Sequence, residues 1–162
     1  MTAHLDINTP NGQRAAALQL RATEIVFGRS DAFSFVHTPT NDASAIDGFI
    51  VKAGVATGIA EAKSRDMTYE QLIGPFKGEW LLTLQKLQDI AAVSKLLFLP
   101  GYGLLYLVPS ARVLVIPLTA SNGNIICSYR EEMTETQATC NGGKIFRENA
   151  YINVANARIY NE

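Results

Sequence analysis

Two carboxylates and one amine have a spacing that suits phosphate chemistry. Asp47 lies in the short apolar segment 45–51, and Glu61 and Lys63 stand at the end of the next apolar segment, 56–62. Short apolar segments rich in β-branched residues predict two strands, and the glycine between them predicts a hairpin turn. Side chains alternate faces along a strand, so Glu61 and Lys63 share one face, and the hairpin brings Asp47 beside Glu61. This combination suits a hard divalent cation and a phosphate.

The same residues also have an ordinary structural interpretation. Glu-x-Lys on a strand is typical of a solvated pair on the open face of a sheet, and an acid before Gly48 is typical of a turn. The flanking residues favour a site, because both acids stand among apolar residues. Charges embedded in buried strands are costly unless they are paired or bound to a metal. We therefore interpret Asp47, Glu61 and Lys63 as candidate catalytic residues.

This arrangement resembles the motif of the PD-(D/E)xK nuclease superfamily, in which an acid on one strand is followed by Asp/Glu-x-Lys on the next. Asp47, Glu61 and Lys63 match the three motif positions, and Ile46 stands where the motif has proline. The resemblance covers residues 13–118. Because the motif is short and degenerate, the order of the surrounding elements carries much of the weight. The resemblance implies a Mg²⁺-dependent nuclease acting on DNA, with Mn²⁺ able to substitute.

The resemblance also implies supporting residues around the motif. A further acid on the helix before the sheet is a common metal ligand in such sites, and Glu24 stands in that helix. Gln85 and Lys86 look like the residues that support the site or touch the DNA backbone near the start of the second helix. Taken alone, Glu24 and Lys86 are also typical of the solvated face of an amphipathic helix.

The ligand types point to Mg²⁺. Asp47 and Glu61 offer hard oxygens, and the backbone carbonyl of Ala62 adds a third; Mg²⁺ takes few protein ligands and keeps several waters. A water made more acidic by the metal is expected to attack phosphorus in line. Lys63 would position that water or stabilise charge on the phosphate oxygens. This chemistry requires no Ser, His or Cys nucleophile.

Hydrophobic periodicity predicts an α/β protein with the order helix, three strands, helix, two strands. The predicted elements are helix 13–27, strands 32–37, 45–51 and 56–62, helix 80–97, and strands 104–108 and 112–118. This order matches the restriction-endonuclease-like αβββαβ core that the resemblance implies, in which helices flank a mixed sheet. Extra C-terminal strands are predicted at 125–130, 144–147 and 151–154, either at a sheet edge or in a dimer interface.

Length and composition fit one globular domain, since the chain has 162 residues, of which 48% are hydrophobic and 18% charged. We divide it into a flexible tail (1–12), a nuclease-like core (13–118) and a C-terminal β extension of the same domain (119–162). No apolar run reaches membrane-spanning length and the N-terminus lacks a signal-peptide pattern, so we expect a cytoplasmic protein with no membrane partner.

A net charge of −1 is unhelpful to DNA binding but does not exclude it. The reason is that many basic residues belong to the part of the chain expected around the cleft. These residues are Arg14, Arg21, Lys63, Arg65, Lys77, Lys86 and Lys95.

The resemblance thus implies a small Mg²⁺-dependent deoxyribonuclease, an endonuclease rather than an exonuclease, with a phage or bacterial resolvase-like role by analogy. A homodimer is expected, because paired cuts take two sites and two-fold pairing is the commonest association. The apolar residues predicted for its shared surface are Ile145, Tyr151, Ile152 and Val154. Two alternatives stay open: a catalytically inactive DNA-binding or assembly module of the same fold, and a structural α/β protein whose motif is coincidental.

Overall fold

The computed structural model describes residues 8–39 and 44–162, and these ranges form three α-helices and nine β-strands in two sheets. The elements are α1 (Pro10–Phe27), β1 (Phe33–His37), β2 (Gly48–Lys52), β3 (Val55–Arg65), α2 (Tyr69–Ile73), β4 (Glu79–Thr83), α3 (Leu84–Leu97), β5 (Gly101–Leu107), β6 (Arg112–Thr119), β7 (Tyr129–Thr139), β8 (Gly142–Asn153) and β9 (Arg158–Asn161), with a 3-10 turn at Val108–Ser110. None of the helices in these ranges is both long enough and apolar enough to cross a bilayer.

The large sheet has six strands in the order β1-β2-β3-β5-β6-β9, and the small sheet has three in the order β4-β8-β7. All neighbouring strands are antiparallel except β3 and β5, which are parallel and joined by a long connection through α2, β4 and α3. Antiparallel strands can follow each other through tight turns, whereas a parallel pair needs such a crossover. The predicted α/β class with a mixed sheet is therefore confirmed.

The β2–β3 hairpin sets the position of the candidate site. Its two-residue turn, Ala53-Gly54, has φ values of 50° and 77°, the left-handed conformation that a tight hairpin turn requires. The pairing of the two strands ends at Gly48 and Ala60. β3 therefore continues past the start of β2, and Asp47 lies beside this extension of β3.

Apolar side chains cover both faces of the large sheet. Ala60 and Ala62 of β3 face α1, where they pack with a cluster that includes Ala22 and Val26. Ile59 faces the other way, toward α3 and the small sheet, in the larger cluster that contains Trp80, Leu87, Ile90 and Ile152. Because side chains alternate along a strand, Glu61 shares the face of Ile59 and is directed toward α3.

The second helix begins later than predicted, because the segment Glu79–Thr83 is a strand. The Thr83 side chain accepts a hydrogen bond from the Lys86 backbone N–H at 3.3 Å and caps α3, which begins at Leu84. Alternate residues of this strand, Trp80 and Leu82, are buried, and the strand pairs with β8. No glycine or proline separates strand from helix, so the local pattern gives no sign of the change.

The first helix starts earlier than predicted, at Pro10, with Thr9 as its N-cap. Three residues of the predicted tail are thus helical, and residues 1–7 of that tail lie outside the described residues. The short elements α2 and β9 are not among the predicted ones. β9 pairs with β6 at the edge of the large sheet.

The C-terminal strands also differ from the prediction. Segments 144–147 and 151–154 belong largely to one strand, β8, and the predicted strand 125–130 begins only at Tyr129. Most of this region adds to β4 and builds the small sheet, rather than extending the large one. Ile152 and Val154 are buried in the core of their own chain, so they are unavailable for a dimer surface, whereas Ile145 is 43% exposed.

Replacing Gly103 by Ala should destabilise the fold. A Cβ at Gly103 would lie 2.4 Å from Cζ3 of the buried Trp80 ring, so the ring or β5 must shift. Such overpacking costs about 1–3 kcal/mol, which urea unfolding would measure. Gly58→Ala is the matched control, because its new methyl group would lie 3.1 Å from the edge of the Tyr102 ring, which can move. Equal stability of the two variants would contradict the close Trp80–Gly103 packing.

Candidate functional site

Residues from three parts of the chain meet where β3 extends past β2. Asp47 stands directly before β2, Glu61 and Lys63 lie on one face of β3, and Lys86 comes from the first turn of α3. We call these four residues the carboxylate cluster. The hairpin and the two-residue period of β3 bring the three motif residues together as the sequence predicts, while Lys86 depends on the packing of α3 against the sheet.

Glu61 is the centre of the cluster and is 0% exposed. Lys63 Nζ lies 2.9 Å from its Oε1, and Lys86 Nζ lies 3.5 Å from its Oε2. Among the described residues, no donor makes a well-aligned hydrogen bond to either oxygen. Burial raises the pKa of Glu61 and Asp47 adds to this effect, against the opposing effect of the two lysines. The carboxylate is therefore only partly compensated.

Lys63 keeps its charge in this setting. Its burial works against the ammonium form and is the largest single influence, but the carboxylates of Glu61 and Asp47 together outweigh it. The pKa of Lys63 is consequently raised above its ordinary value of 10.5. A lysine with a raised pKa is protonated at neutral pH, so Lys63 can donate hydrogen bonds and stabilise negative charge but cannot serve as a base.

Gln19 of α1 holds Asp47 against β3. Asp47 Oδ2 accepts a hydrogen bond from the Ala62 backbone N–H at 2.8 Å and another from Gln19 Nε2 at 3.2 Å. The same Gln19 nitrogen donates to the Ala62 carbonyl oxygen at 3.1 Å. One amide nitrogen thus contacts two of the oxygens that the sequence proposes as metal ligands, Asp47 Oδ2 and the Ala62 carbonyl oxygen.

The sequence interpretation missed Gln19 because it considered acids alone on this helix. Gln19 stands seven residues after the buried Gly12 and seven before the buried Val26. Seven residues are nearly two helical turns, so the three share the stripe that faces the sheet. A polar residue on an otherwise inward stripe was the available signal.

The structure does not bring Glu24 and Gln85 to the cluster. Glu24 Oε2 accepts a hydrogen bond from Arg21 at 3.0 Å, and the Glu24 side chain is 64% exposed. Arg21 also pairs with Glu162. Gln85 Nε2 donates to Asp89 Oδ1 at 2.8 Å, within α3. In the described structure, the contacts of Glu24 and Gln85 place both residues on the polar surface of their own helices.

The donor set is small for a metal ion but suits Mg²⁺. No group of three or more His, Cys, Asp and Glu residues in ranges 8–39 and 44–162 has a metal-binding arrangement. The oxygens present are the Asp47 and Glu61 carboxylates and the Ala62 carbonyl, and Mg²⁺ commonly binds through one or two carboxylates and several waters. The buried Glu61 oxygens without aligned donors fit such an ion. In the structure, Lys63 and Lys86 contact these oxygens.

No family model matches this chain, and comparisons with curated proteins and with solved structures give no significant match. The assignment of a function therefore depends on the order of the elements and on the geometry of the carboxylate cluster.

Glu61→Gln should make the protein more stable at neutral pH. Because the pKa of Glu61 is raised, the folded state holds this proton more tightly than the unfolded state. As the pH rises above 4.5, the ordinary pKa of a glutamate, ionisation of Glu61 therefore lowers the stability of the wild type. Gln does not titrate, so the variant does not lose this stability. Thermal unfolding should give a higher Tm for the variant at neutral pH and a shrinking difference as pH falls toward 4.5.

The control is Glu24→Gln, which removes an exposed carboxylate and should change stability by less than about 0.5 kcal/mol. If wild type is the more stable protein at neutral pH, the ion pairs with Lys63 and Lys86 compensate Glu61 fully, and our description of the cluster is wrong.

Proposed function

We propose that this chain is a Mg²⁺-dependent deoxyribonuclease with a restriction-endonuclease-like fold, which hydrolyses phosphodiester bonds at the carboxylate cluster. The observation that carries the proposal is the Glu61 carboxylate, fully buried beside Asp47 and without a well-aligned donor among the described residues. A buried charge that its ion pairs compensate only in part lowers stability. Such a cost is typical of a site that a ligand or cation completes.

The element order supports the proposed fold. A helix, three antiparallel strands, a crossover helix and a strand parallel to β3 correspond to α1, β1–β3, α3 and β5. With α2 and β4, which stand between β3 and α3, left aside, this order is consistent with the αβββαβ core that the motif resemblance implies. Asp47 lies just before the second strand, and Glu61 and Lys63 lie on the third.

Each residue of the cluster has a distinct role in this proposal. Asp47, Glu61 and the Ala62 carbonyl would hold the ion. When bound, Mg²⁺ supplies positive charge to the phosphate and makes a neighbouring water more acidic. The protonated Lys63 stabilises negative charge that develops on the phosphate oxygens. Lys86, which also donates to the Ala45 carbonyl at 3.3 Å, positions the Glu61 carboxylate.

One observation favours the alternative of an inactive DNA-binding or assembly module. Two ammonium groups already lie within ion-pair distance of Glu61, and they could replace a cation permanently. Such a module would bind DNA without cleaving it. A cleavage assay with Mg²⁺, with Mn²⁺ and with a chelator separates the two functions.

Asp47→Asn, Glu61→Gln and Lys63→Ala should each slow DNA cleavage at least about 100-fold, because each removes a group that acts in the transition state. The measurement is the cleavage rate on linear, nicked, branched and single-stranded DNA with Mg²⁺. Folding is checked by the Tm of each variant. Glu24→Gln is the control and should keep the wild-type rate, since Glu24 pairs with Arg21. Wild-type cleavage by Glu61→Gln would overturn the proposed site.

Gln19→Glu should strengthen cation binding. In the presence of a chelator, a third carboxylate beside Asp47 and facing the Ala62 carbonyl should lower the Tm, because like charges and unpaired acceptors meet. Mg²⁺ would relieve both, so its addition should raise the Tm of the variant more than that of the wild type.

Gln19→Ala provides the comparison for this test. It loses two hydrogen bonds without adding charge, so it should lower the Tm with or without Mg²⁺. If Mg²⁺ shifts the Tm of Gln19→Glu no more than that of the wild type, the oxygens near Gln19 do not bind a cation.

A further inference from the structure

A cleft of about 1010 Å³ lies beside the carboxylate cluster. Residues of α1 and of β3 from Ala62 onward line it, together with residues of the small sheet. Lys63 of the cluster lines the cleft, and so does Gln19, which donates a hydrogen bond to Asp47 of the cluster. A ligand in the cleft would therefore reach the proposed site of hydrolysis.

The cleft is strongly basic although the whole chain carries a net charge of −1. Its described lining includes two acids, Asp66 and Glu79, and both are already paired, with Arg14 at 3.3 Å and with Arg130 at 2.9 Å. The basic residues that line it are Arg14, Lys63, Arg65, Lys77, Arg130 and Arg147. Lys63 pairs with Glu61 of the cluster, so the remaining lining cations, Arg65, Lys77 and Arg147, give the cleft a positive potential that attracts anions.

Two arginines of different sheets are held in place without a carboxylate. Arg65 of β3 donates to the Ser64 carbonyl at 2.9 Å and to the Leu81 carbonyl at 3.2 Å. Arg147 of β8 donates to Thr136 Oγ1 at 3.1 Å and to the Gln137 carbonyl at 3.0 Å. Neither forms an ion pair with a carboxylate in the described part of the chain. Positioned guanidinium groups with uncompensated charge suit phosphate.

We propose that the cleft binds a single nucleic-acid strand, with Arg65 and Arg147 on its phosphates. A cleft of this volume is at the upper end of the range for small ligands, which suits a few nucleotides of one strand rather than the width of a double helix. Phe76 also lines the cleft, is 51% exposed and precedes Lys77. Exposed aromatic rings among cations are typical stacking platforms for unpaired bases.

The role of this strand as a substrate rests on the proposed nuclease function, whereas its binding does not. A strand in the cleft would enter along the open end of β3 and reach Lys63, which lines both regions. One chain suffices to cut one strand, so this substrate does not require the homodimer expected from the sequence.

The test is binding of a labelled oligothymidine by fluorescence anisotropy in a chelator, so that no cleavage occurs. Arg65→Gln and Arg147→Gln should each weaken binding roughly tenfold, the loss expected for one charge-assisted contact. Each should also reduce the slope of log K against log salt by about 0.7, the value for one phosphate contact on a single strand.

Arg158→Gln is the matched control, because Arg158 lies on β9 at the far edge of the large sheet and packs on Tyr160 instead of lining the cleft. It should leave both affinity and salt slope unchanged. Arg65 donates a hydrogen bond from β3 to the Leu81 carbonyl of β4, so Arg65→Gln can also change the fold. Its binding result counts only if the variant has the Tm of the wild type. Arg147→Gln, on the other sheet, then tests the proposal alone.

Three results would overturn the inference: wild-type affinity in Arg147→Gln, tighter binding of a duplex of the same length, or equal displacement of the oligothymidine by polyglutamate. The proposed function fails separately. If the strand binds in the cleft but DNA is not cleaved, or Glu61→Gln cleaves it at the wild-type rate, the inference stands without the proposed catalytic site. If duplex DNA is cleaved but a single strand does not bind, the nuclease stands without the inference.

Discussion

A fully buried carboxylate must be compensated, and Glu61 draws its partners from separate parts of the fold. Lys63 comes from the same face of β3, Lys86 from the first turn of α3, and Asp47 stands close enough to oppose ionisation. These positions require the β2–β3 hairpin in its register and α3 packed on the sheet. Because the lysines compensate the charge only in part, further positive charge near Glu61 would stabilise the cluster. The proposed cation would supply that positive charge.

The shortness of β2 connects the cluster with the cleft. β2 starts at Gly48, opposite Ala60, so the rest of β3 has no strand partner on this side among the described residues. Asp47 and Gln19 instead satisfy the backbone N–H and C=O of the buried Ala62. An unpaired strand edge is normally a liability. Here it places polar backbone, a carboxylate and an amide side by side at the border of a basic cleft.

Charge distribution matters more than total charge in this chain. The net charge of −1 suggests little affinity for nucleic acid. However, four of the basic residues expected around a cleft (Arg14, Lys63, Arg65 and Lys77) do line it, and two arginines of the small sheet, Arg130 and Arg147, join them. The two acids described in the lining of the cleft, Asp66 and Glu79, are already in ion pairs. A local field of one sign can thus form within a chain that is nearly neutral overall.

The sequence by itself determined the features that depend on neighbours along the chain. The two-residue period of β3 places Glu61 and Lys63 on one face, and periodicity predicts the α/β order. The turn residues Ala53-Gly54 close the hairpin at the end of β2 opposite Asp47, so Asp47 stands at the open end of the hairpin. Only the tertiary structure decided which distant groups complete the site. It placed Gln19 rather than Glu24 against Asp47, Lys86 against Glu61, and the strand 79–83 against β8. Periodicity reports the face on which a residue lies within its own element, whereas contacts between elements depend on how their faces pack together.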